Sequence, residues 1–221
     1  MGDFALDQTT RRRRTLPLTL VVIAVNAGVL IGTQFSPALG RLLMFDGAAV
    51  WRGEAWRVFT HAWVHAGLRH LLVNMVALLP FGLYIEARWG RWRFASAYLL
   101  CCVGTGLSLA LLHLVLRQPN VIGASGAVAG MAMLWLAGVV SRRAKKWYVM
   151  LPELALGVLV AVFYLSKMVL WDVTHVLSQD QISHSAHLAG FVSGFVLFRL
   201  GILPRGATPD SPQTATRELE A

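Results

Sequence analysis

The feature that most limits how this chain can fold is a series of long apolar runs separated by short clusters of arginine and lysine. A helix needs about 20 apolar residues to cross a bilayer, within a usual range of about 17 to 25. Six runs reach that length, at residues 16–35, 68–85, 94–116, 124–140, 147–171 and 184–203. We therefore predict an all-α polytopic membrane protein built as a bundle of six transmembrane helices.

Composition agrees with this class of protein and excludes an ordinary soluble domain. Of the 221 residues, 56% are hydrophobic and 14% are charged, and the mean hydropathy is +0.58. The net charge of +9 is compatible with nucleic-acid binding, but the basic residues fall mostly between the apolar runs, as is typical of membrane topology. We expect the lipid bilayer as a partner, and no nucleic acid.

The basic clusters also predict the orientation, because arginine and lysine are enriched in cytoplasmic loops. With six alternating helices and both termini in the cytoplasm, the clusters all face the cytoplasm; they are residues 11–14, Arg88, Arg91, Arg93, Arg142, Arg143, Lys145, Lys146, Arg199 and Arg205. Residues 1–15 and 204–221 would then be cytoplasmic tails. Abundant arginine, a short chain and the lack of an organelle-targeting presequence favour the plasma membrane of a prokaryote.

Residues 36–64 are too polar to span the bilayer and mix charged residues with three tryptophans. Such a segment suits the membrane–water interface, so we expect a folded loop partly embedded on the outer side, although an ordinary solvated loop fits the composition nearly as well. His61 and His65 are expected to hydrogen-bond within this loop. Their spacing lacks the glutamate of the His-Glu-x-x-His zinc motif, and we predict no metal and no cofactor.

Polar side chains inside the spans indicate where chemistry occurs, because ionisable groups at membrane depth are rare and usually functional. His70, Asn74, Ser125 and His187 lie at the predicted outer ends of the second, fourth and sixth spans. His70, Ser125 and His187 each precede a cytoplasmic arginine by 17 or 18 residues. At about 1.5 Å per residue, this places all three about 25 Å above the cytoplasmic charges.

That common depth predicts an acyl-transfer site. A serine hydroxyl is a good nucleophile once a base removes its proton, and histidine has a suitable pKa, so we assign Ser125 as the nucleophile and His187 as the base. No Asp or Glu shares their depth on the predicted spans, which makes the pair a dyad. His70, Asn74 and the Ser125 backbone N–H would form an oxyanion hole.

Glycines surround both members of this dyad. Pairs of small residues four positions apart let transmembrane helices approach closely, and we expect the fourth and sixth spans to do so. On the serine segment alone, tight helix packing explains the glycines equally well. The glycines are Gly123, Gly126, Gly130, Gly190 and Gly194.

These residues resemble the motifs of the rhomboid family of intramembrane serine proteases. The resemblance covers roughly residues 51–199 in the family's order. It implies a six-helix fold in which Ser125 is the nucleophile, His187 is the general base, and His70 and Asn74 help to bind the oxyanion. The residues that match are Trp56, Arg57, His65, His70 to Asn74, Glu86, Gly123 to Gly126, Ala186, His187, Gly190 and Gly194.

The resemblance also implies substrates, which are transmembrane segments of other proteins cut near their outer ends. The fifth helix and the loop before the sixth would gate substrate entry. One departure is Ala129, where many relatives carry an aromatic residue packed on the catalytic histidine. Glu86 is expected to pair with Arg88 and fasten the cytoplasmic end of the second span.

Two other functions compete with proteolysis. An inactive rhomboid-like binding protein is the closer rival, but such relatives usually lack the serine or the histidine, and this chain has both. A small transporter would also explain buried polar residues, but the helices show no inverted repeat. The sequence carries no signal for a particular oligomeric state.

Overall fold

The computed structural model describes residues 16–117, 120–140 and 184–202. These parts are helical, with an isolated antiparallel bridge between Phe45 and Val121. The predicted span at 147–171 and both predicted tails lie outside them. The helices are α1 (Leu18–Phe35), α2 (Pro37–Leu43), α3 (Gly47–Trp51), α4 (Arg57–Thr60) with a 3-10 turn (His61–Trp63), α5 (Leu68–Trp89), α6 (Arg91–His113), α7 (Ser125–Val140) and α8 (His184–Arg199).

Three of these helices, α1, α5 and α6, are long and apolar enough to cross a membrane. Helix α7 is apolar but shorter, with its apolar part at Ser125–Gly138. The prediction of an all-helical membrane protein is therefore confirmed for the described ranges. The count of six transmembrane helices stays a prediction.

The boundary between α5 and α6 is tighter than hydropathy predicts. The apolar runs end at residue 85 and resume at 94, whereas α5 continues to Trp89 and α6 begins at Arg91. Gly90, with φ +94°, makes the break between the helices, and its N–H still bonds to the carbonyl of Glu86 at 3.0 Å. A helix ends where its backbone geometry changes, which need not be where its apolar run ends. The long apolar stem of an arginine side chain can lie on apolar surface, so arginine can belong to a helix beyond the apolar run.

The loop between α1 and α5 is fastened by side chains that bind the carbonyl end of α2. The last carbonyls of a helix have no partner inside it, so each needs an external donor. Arg57 is 8% exposed, and its charge is paired with Glu54, with Nη2 and Oε2 2.7 Å apart. The donors are Arg57 Nη1 to the carbonyls of Arg41 (2.6 Å) and Met44 (2.7 Å), Trp56 Nε1 to Leu42 (3.2 Å), and Thr60 Oγ1 to Leu43 (2.7 Å).

Glu86 has a different partner from the one predicted. Its carboxylate accepts hydrogen bonds from the backbone N–H of Leu18 (2.7 Å) and from the N–H and hydroxyl of Thr19 (both 2.9 Å). Residues two apart on a helix point in different directions, so Glu86 turns away from Arg88 and towards α1. The predicted pairing with Arg88 is wrong. Glu86 instead places a negative charge at the N-terminus of α1, where the helix dipole favours it.

Two packing contacts place this loop relative to the bundle. Gly106 of α6 allows α4 to lie directly against it, because a Cβ at Gly106 would overlap the carbonyl of Val58. The Trp63 and Tyr98 rings meet edge-on, with centroids 5.7 Å apart. The loop is therefore packed against α6. It also contacts the residues just before α7, because the Gly123 N–H donates to the His61 carbonyl at 2.9 Å.

Candidate active site

Ser125 and His187 lie at the starts of two helices that touch. Ser125 is the first residue of α7 and is partly exposed, while His187 lies in the first turn of α8 and is 9% exposed. The neighbouring residues Gly126 and Ala186 are in contact, because a Cβ at Gly126 would lie 2.9 Å from the Ala186 carbonyl oxygen. The predicted nucleophile and base thus belong to adjoining helix ends.

Glycines make this contact between α7 and α8 possible. A Cβ at Gly190 would overlap the carbonyl of Gly126, and a Cβ at Gly194 would overlap the carbonyl of Gly130. The two backbones are therefore in direct contact over one helical turn below the helix starts. Only glycine permits so close an approach.

Helix α6 supports α7 near these glycines. A Cβ at Gly126 would come within 2.5 Å of Thr105 Cγ2, and a Cβ at Gly130 within 2.6 Å of Cys101 Sγ. Thr105 is held in place by its hydroxyl, which donates to the Cys101 carbonyl at 2.8 Å. Helix α7 is thus confined between α6 and α8, which restricts movement of the segment that begins at Ser125.

The first turns of α5 lie beside the residue two positions before Ser125. A Cβ at Gly123 would lie 2.7 Å from His70 Cε1, 2.9 Å from His70 Nε2 and 3.8 Å from Asn74 Nδ2. Gly123 also has φ +115°, a conformation that residues with side chains rarely adopt. Both the backbone conformation and the contact with His70 therefore require glycine at this position.

Hydrogen bonds determine which nitrogen of His70 holds its proton. The backbone N–H of Ala66 donates to His70 Nδ1 at 3.4 Å, so Nδ1 supplies the lone pair and the neutral ring is protonated at Nε2. The amide of Asn74 donates one hydrogen to the His70 carbonyl at 3.0 Å and has a second available. Both side chains therefore carry an N–H group close to Gly123, two residues before Ser125.

His61 and His65 form the hydrogen bonds within the first loop that the sequence predicted. His61 Nδ1 pairs with the Arg57 carbonyl at 3.1 Å, and His65 Nδ1 pairs with the Trp63 carbonyl at 3.3 Å. Burial lowers the pKa of each to about 4, and nearby His70 also lowers that of His65. Both rings are therefore neutral near pH 7.

The sequence did not predict a further contact of His65, whose Nε2 accepts a hydrogen bond from the Ala124 N–H at 3.5 Å. The only signal in the sequence is a cluster of histidines in residues 61–70.

In the part of the chain that the structure describes, no group of three or more His, Cys, Asp or Glu side chains is arranged to hold a metal ion.

Comparison with known proteins gives one consistent family. The family model described as "Rhomboid domain" matches residues 52–203. RHOMBOID-like protein 1 of Arabidopsis thaliana is 32% identical over 149 residues, which cover 67% of this chain and 35% of that protein. Rhomboid-related protein 1 of Caenorhabditis elegans is 32% identical over 153 residues, covering 65% and 39%. Inactive RHOMBOID-like protein 8 of Arabidopsis thaliana is 28% identical over 141 residues, covering 63% and 36%.

The apolar helices define a polytopic membrane protein. Because the match to the rhomboid family model extends over more than half of the chain, the chain belongs to the rhomboid family. The chain spans between about a third and about a half of the length of the curated relatives that it matches.

Proposed function

We propose that this protein is an intramembrane serine endopeptidase that cleaves transmembrane segments of other membrane proteins. The observation that supports this most strongly is that the starts of three helices lie close together. Ser125 begins α7, and His187 lies in the first turn of α8, which packs against α7. His70, near the start of α5, lies beside Gly123. Family membership gives independent support.

The proposed reaction has two steps. Ser125 Oγ attacks the scissile carbonyl carbon while His187 takes the hydroxyl proton, and the carbonyl oxygen becomes an oxyanion. His187 then donates that proton to the leaving amine as the C–N bond breaks, which leaves an acyl-enzyme. Water, deprotonated by His187, hydrolyses the ester and restores Ser125.

The oxyanion would be bound by donors that are already in place. His70 Nε2–H, the second amide hydrogen of Asn74 and the Ser125 backbone N–H at the helix N-terminus are the candidates. One preorganised donor of this kind contributes about 3 kcal/mol to transition-state stabilisation. Asn74 is 1% exposed, so water does not compete strongly for its amide.

The surroundings of the reaction follow from the predicted topology. With both termini in the cytoplasm, the starts of α5, α7 and α8 lie towards the outer leaflet, and cleavage occurs near the outer end of the substrate helix. The proposed location is the plasma membrane of a prokaryote. The partners are transmembrane protein substrates and the lipid bilayer.

A second candidate is a catalytically inactive rhomboid-like protein that binds membrane proteins. One of the matched relatives is named inactive, which makes this alternative specific. The presence of both Ser125 and His187 favours the protease.

A serine-reactive probe tests the proposal. We expect a fluorophosphonate or isocoumarin to label the purified wild-type protein and to leave Ser125→Ala unlabelled. Ser108 is a matched control, because it is a half-buried helical serine whose hydroxyl donates to the Gly104 carbonyl at 2.8 Å. Ser108→Ala should label normally. A wild type that does not label, or labelling that survives Ser125→Ala, would contradict the protease assignment.

A further inference from the structure

The two residues before Ser125 are held by the first loop through consecutive backbone N–H groups. Gly123 N–H donates to the His61 carbonyl at 2.9 Å, and Ala124 N–H donates to His65 Nε2 at 3.5 Å. The first of these acceptors is backbone, so any residue at position 61 can supply it. The second is a side chain, so it depends on the identity of residue 65.

Ala124 is therefore constrained on both sides of its Cα. Its carbonyl accepts from Val128 N–H at 2.9 Å in the first turn of α7, and its N–H is bound by His65. Ala124 is fully buried, and His65 is 2% exposed. Because both peptide planes of Ala124 are held, the position of the next residue, Ser125, follows from them.

The hydrogen bonds of His65 and His70 require that the two neutral rings are opposite tautomers. His65 donates from Nδ1 to the Trp63 carbonyl and accepts at Nε2, whereas His70 accepts at Nδ1 from the Ala66 N–H and donates from Nε2. Their rings meet edge-on with centroids 5.1 Å apart. The lowered pKa of His65, about 4, keeps its Nε2 lone pair available near neutral pH.

We propose that His65 is a positioning residue for the oxyanion hole. By accepting the Ala124 N–H, it holds the backbone before Ser125 against His70, so that the Ser125 N–H and His70 Nε2–H point towards the same oxygen. This inference rests on the proposed protease function. His65 itself touches neither the substrate nor the oxyanion.

The expected effect of losing this acceptor follows from burial. A buried N–H without an acceptor is unfavourable, so the Gly123–Ala124 backbone would shift to find another partner. A displacement of about 1 Å in a catalytic group can lower the rate by about 10²-fold. Because the oxyanion exists only in the transition state, the loss should appear in kcat, with KM little changed.

Two substitutions separate positioning from packing. The amide oxygen of glutamine can occupy the place of His65 Nε2, so His65→Gln keeps an acceptor, whereas His65→Met has similar length but a poor one. We expect His65→Gln to keep kcat within about threefold of wild type and His65→Met to lose about tenfold or more. Melting temperatures of the two variants should be similar. Amide hydrogen exchange in residues 121–126 should be faster in His65→Met than in His65→Gln.

The outcomes distinguish this inference from the proposed function. If both variants have equal kcat, or if the loss in His65→Met parallels a drop in melting temperature, the positioning role is wrong. A wild type that neither cleaves nor labels at Ser125 would refute the protease function itself. In that case the exchange measurement still decides whether His65 holds Ala124, and equal exchange in the two variants would refute that contact as well.

Discussion

Replacing Gly190 by alanine is the smallest change that tests the contact between α7 and α8. The added Cβ would overlap the carbonyl group of Gly126 and would lie 2.9 Å from its Cα, whereas ordinary contact begins at 3.4 Å. The clash is with backbone, so rotation of a side chain cannot relieve it. The two helices must separate instead.

The size of the effect follows from that separation. Restoring ordinary contact requires a shift on the order of 1 Å at the level of Gly126, the residue next to Ser125, and such a shift can cost about 10²-fold in rate. This corresponds to about 2.7 kcal/mol of transition-state stabilisation. Overpacking should also cost about 1–3 kcal/mol of stability, partly offset by about 1 kcal/mol from the better helix propensity of alanine.

The assay is cleavage of a fluorescent transmembrane substrate in detergent, with melting temperature measured in parallel. Gly28 is a matched control, because it lies within α1 and nothing approaches its Cβ position within 4 Å. Gly28→Ala should keep wild-type turnover and gain slightly in stability. Gly194→Ala, one turn further from His187, should lose similar stability but less activity. Wild-type turnover and melting temperature in Gly190→Ala would refute the close contact between the helices.

Three further predictions concern the proposed oxyanion hole, the contact of Glu86 with the start of α1, and the loop histidines. Asn74→Ala should lower turnover about 10²-fold while probe labelling of Ser125 persists at a reduced rate, and unchanged turnover would leave Asn74 with a packing role. Glu86→Gln should lose about 1–2 kcal/mol in thermal unfolding because α1 loses its charged cap, whereas Arg88→Gln should lose less; equal losses would contradict the observed contacts. In the folded state the pKa values of His61 and His65 are lowered to about 4, so as pH falls the unfolded state takes up protons on these residues before the folded state does. The melting temperature should therefore fall as pH decreases from about 6.5 to about 4. His61→Phe should reduce this pH dependence, and an identical pH dependence in that variant would exclude His61 as a contributor.

Parts of this arrangement could be predicted because they follow from regular helices. Residues four apart lie on one helix face, so the spacing of Gly190 and Gly194 already indicates a close-packing surface. Counting residues from the basic clusters predicts depth, and it places Ser125, His187 and His70 at one level. The length and apolarity of α1, α5 and α6 could be seen directly in the sequence.

Other contacts could not be predicted because they join segments that are distant in the chain. Glu86 binds the N-terminus of α1, 67 and 68 residues away, and His65 binds Ala124, 59 residues away. Neither pairing leaves a periodic signal in the sequence. Hydropathy also misplaced the boundary at Gly90, because it measures apolarity and not backbone hydrogen bonding.

The most direct test of the proposed dyad compares Ser125→Ala, His187→Ala and the double variant in cleavage of a reconstituted transmembrane substrate. A nucleophile and its base act as one unit, so each single variant should lose essentially all cleavage and the double variant should lose no more. Insertion should be unchanged, and the melting temperature of Ser125→Ala should stay near that of wild type because only a hydroxyl is lost. His187→Ala removes a buried ring, so its melting temperature is measured to separate lost cleavage from lost folding. Residual turnover by Ser125→Ala would contradict the assignment of Ser125 as the nucleophile.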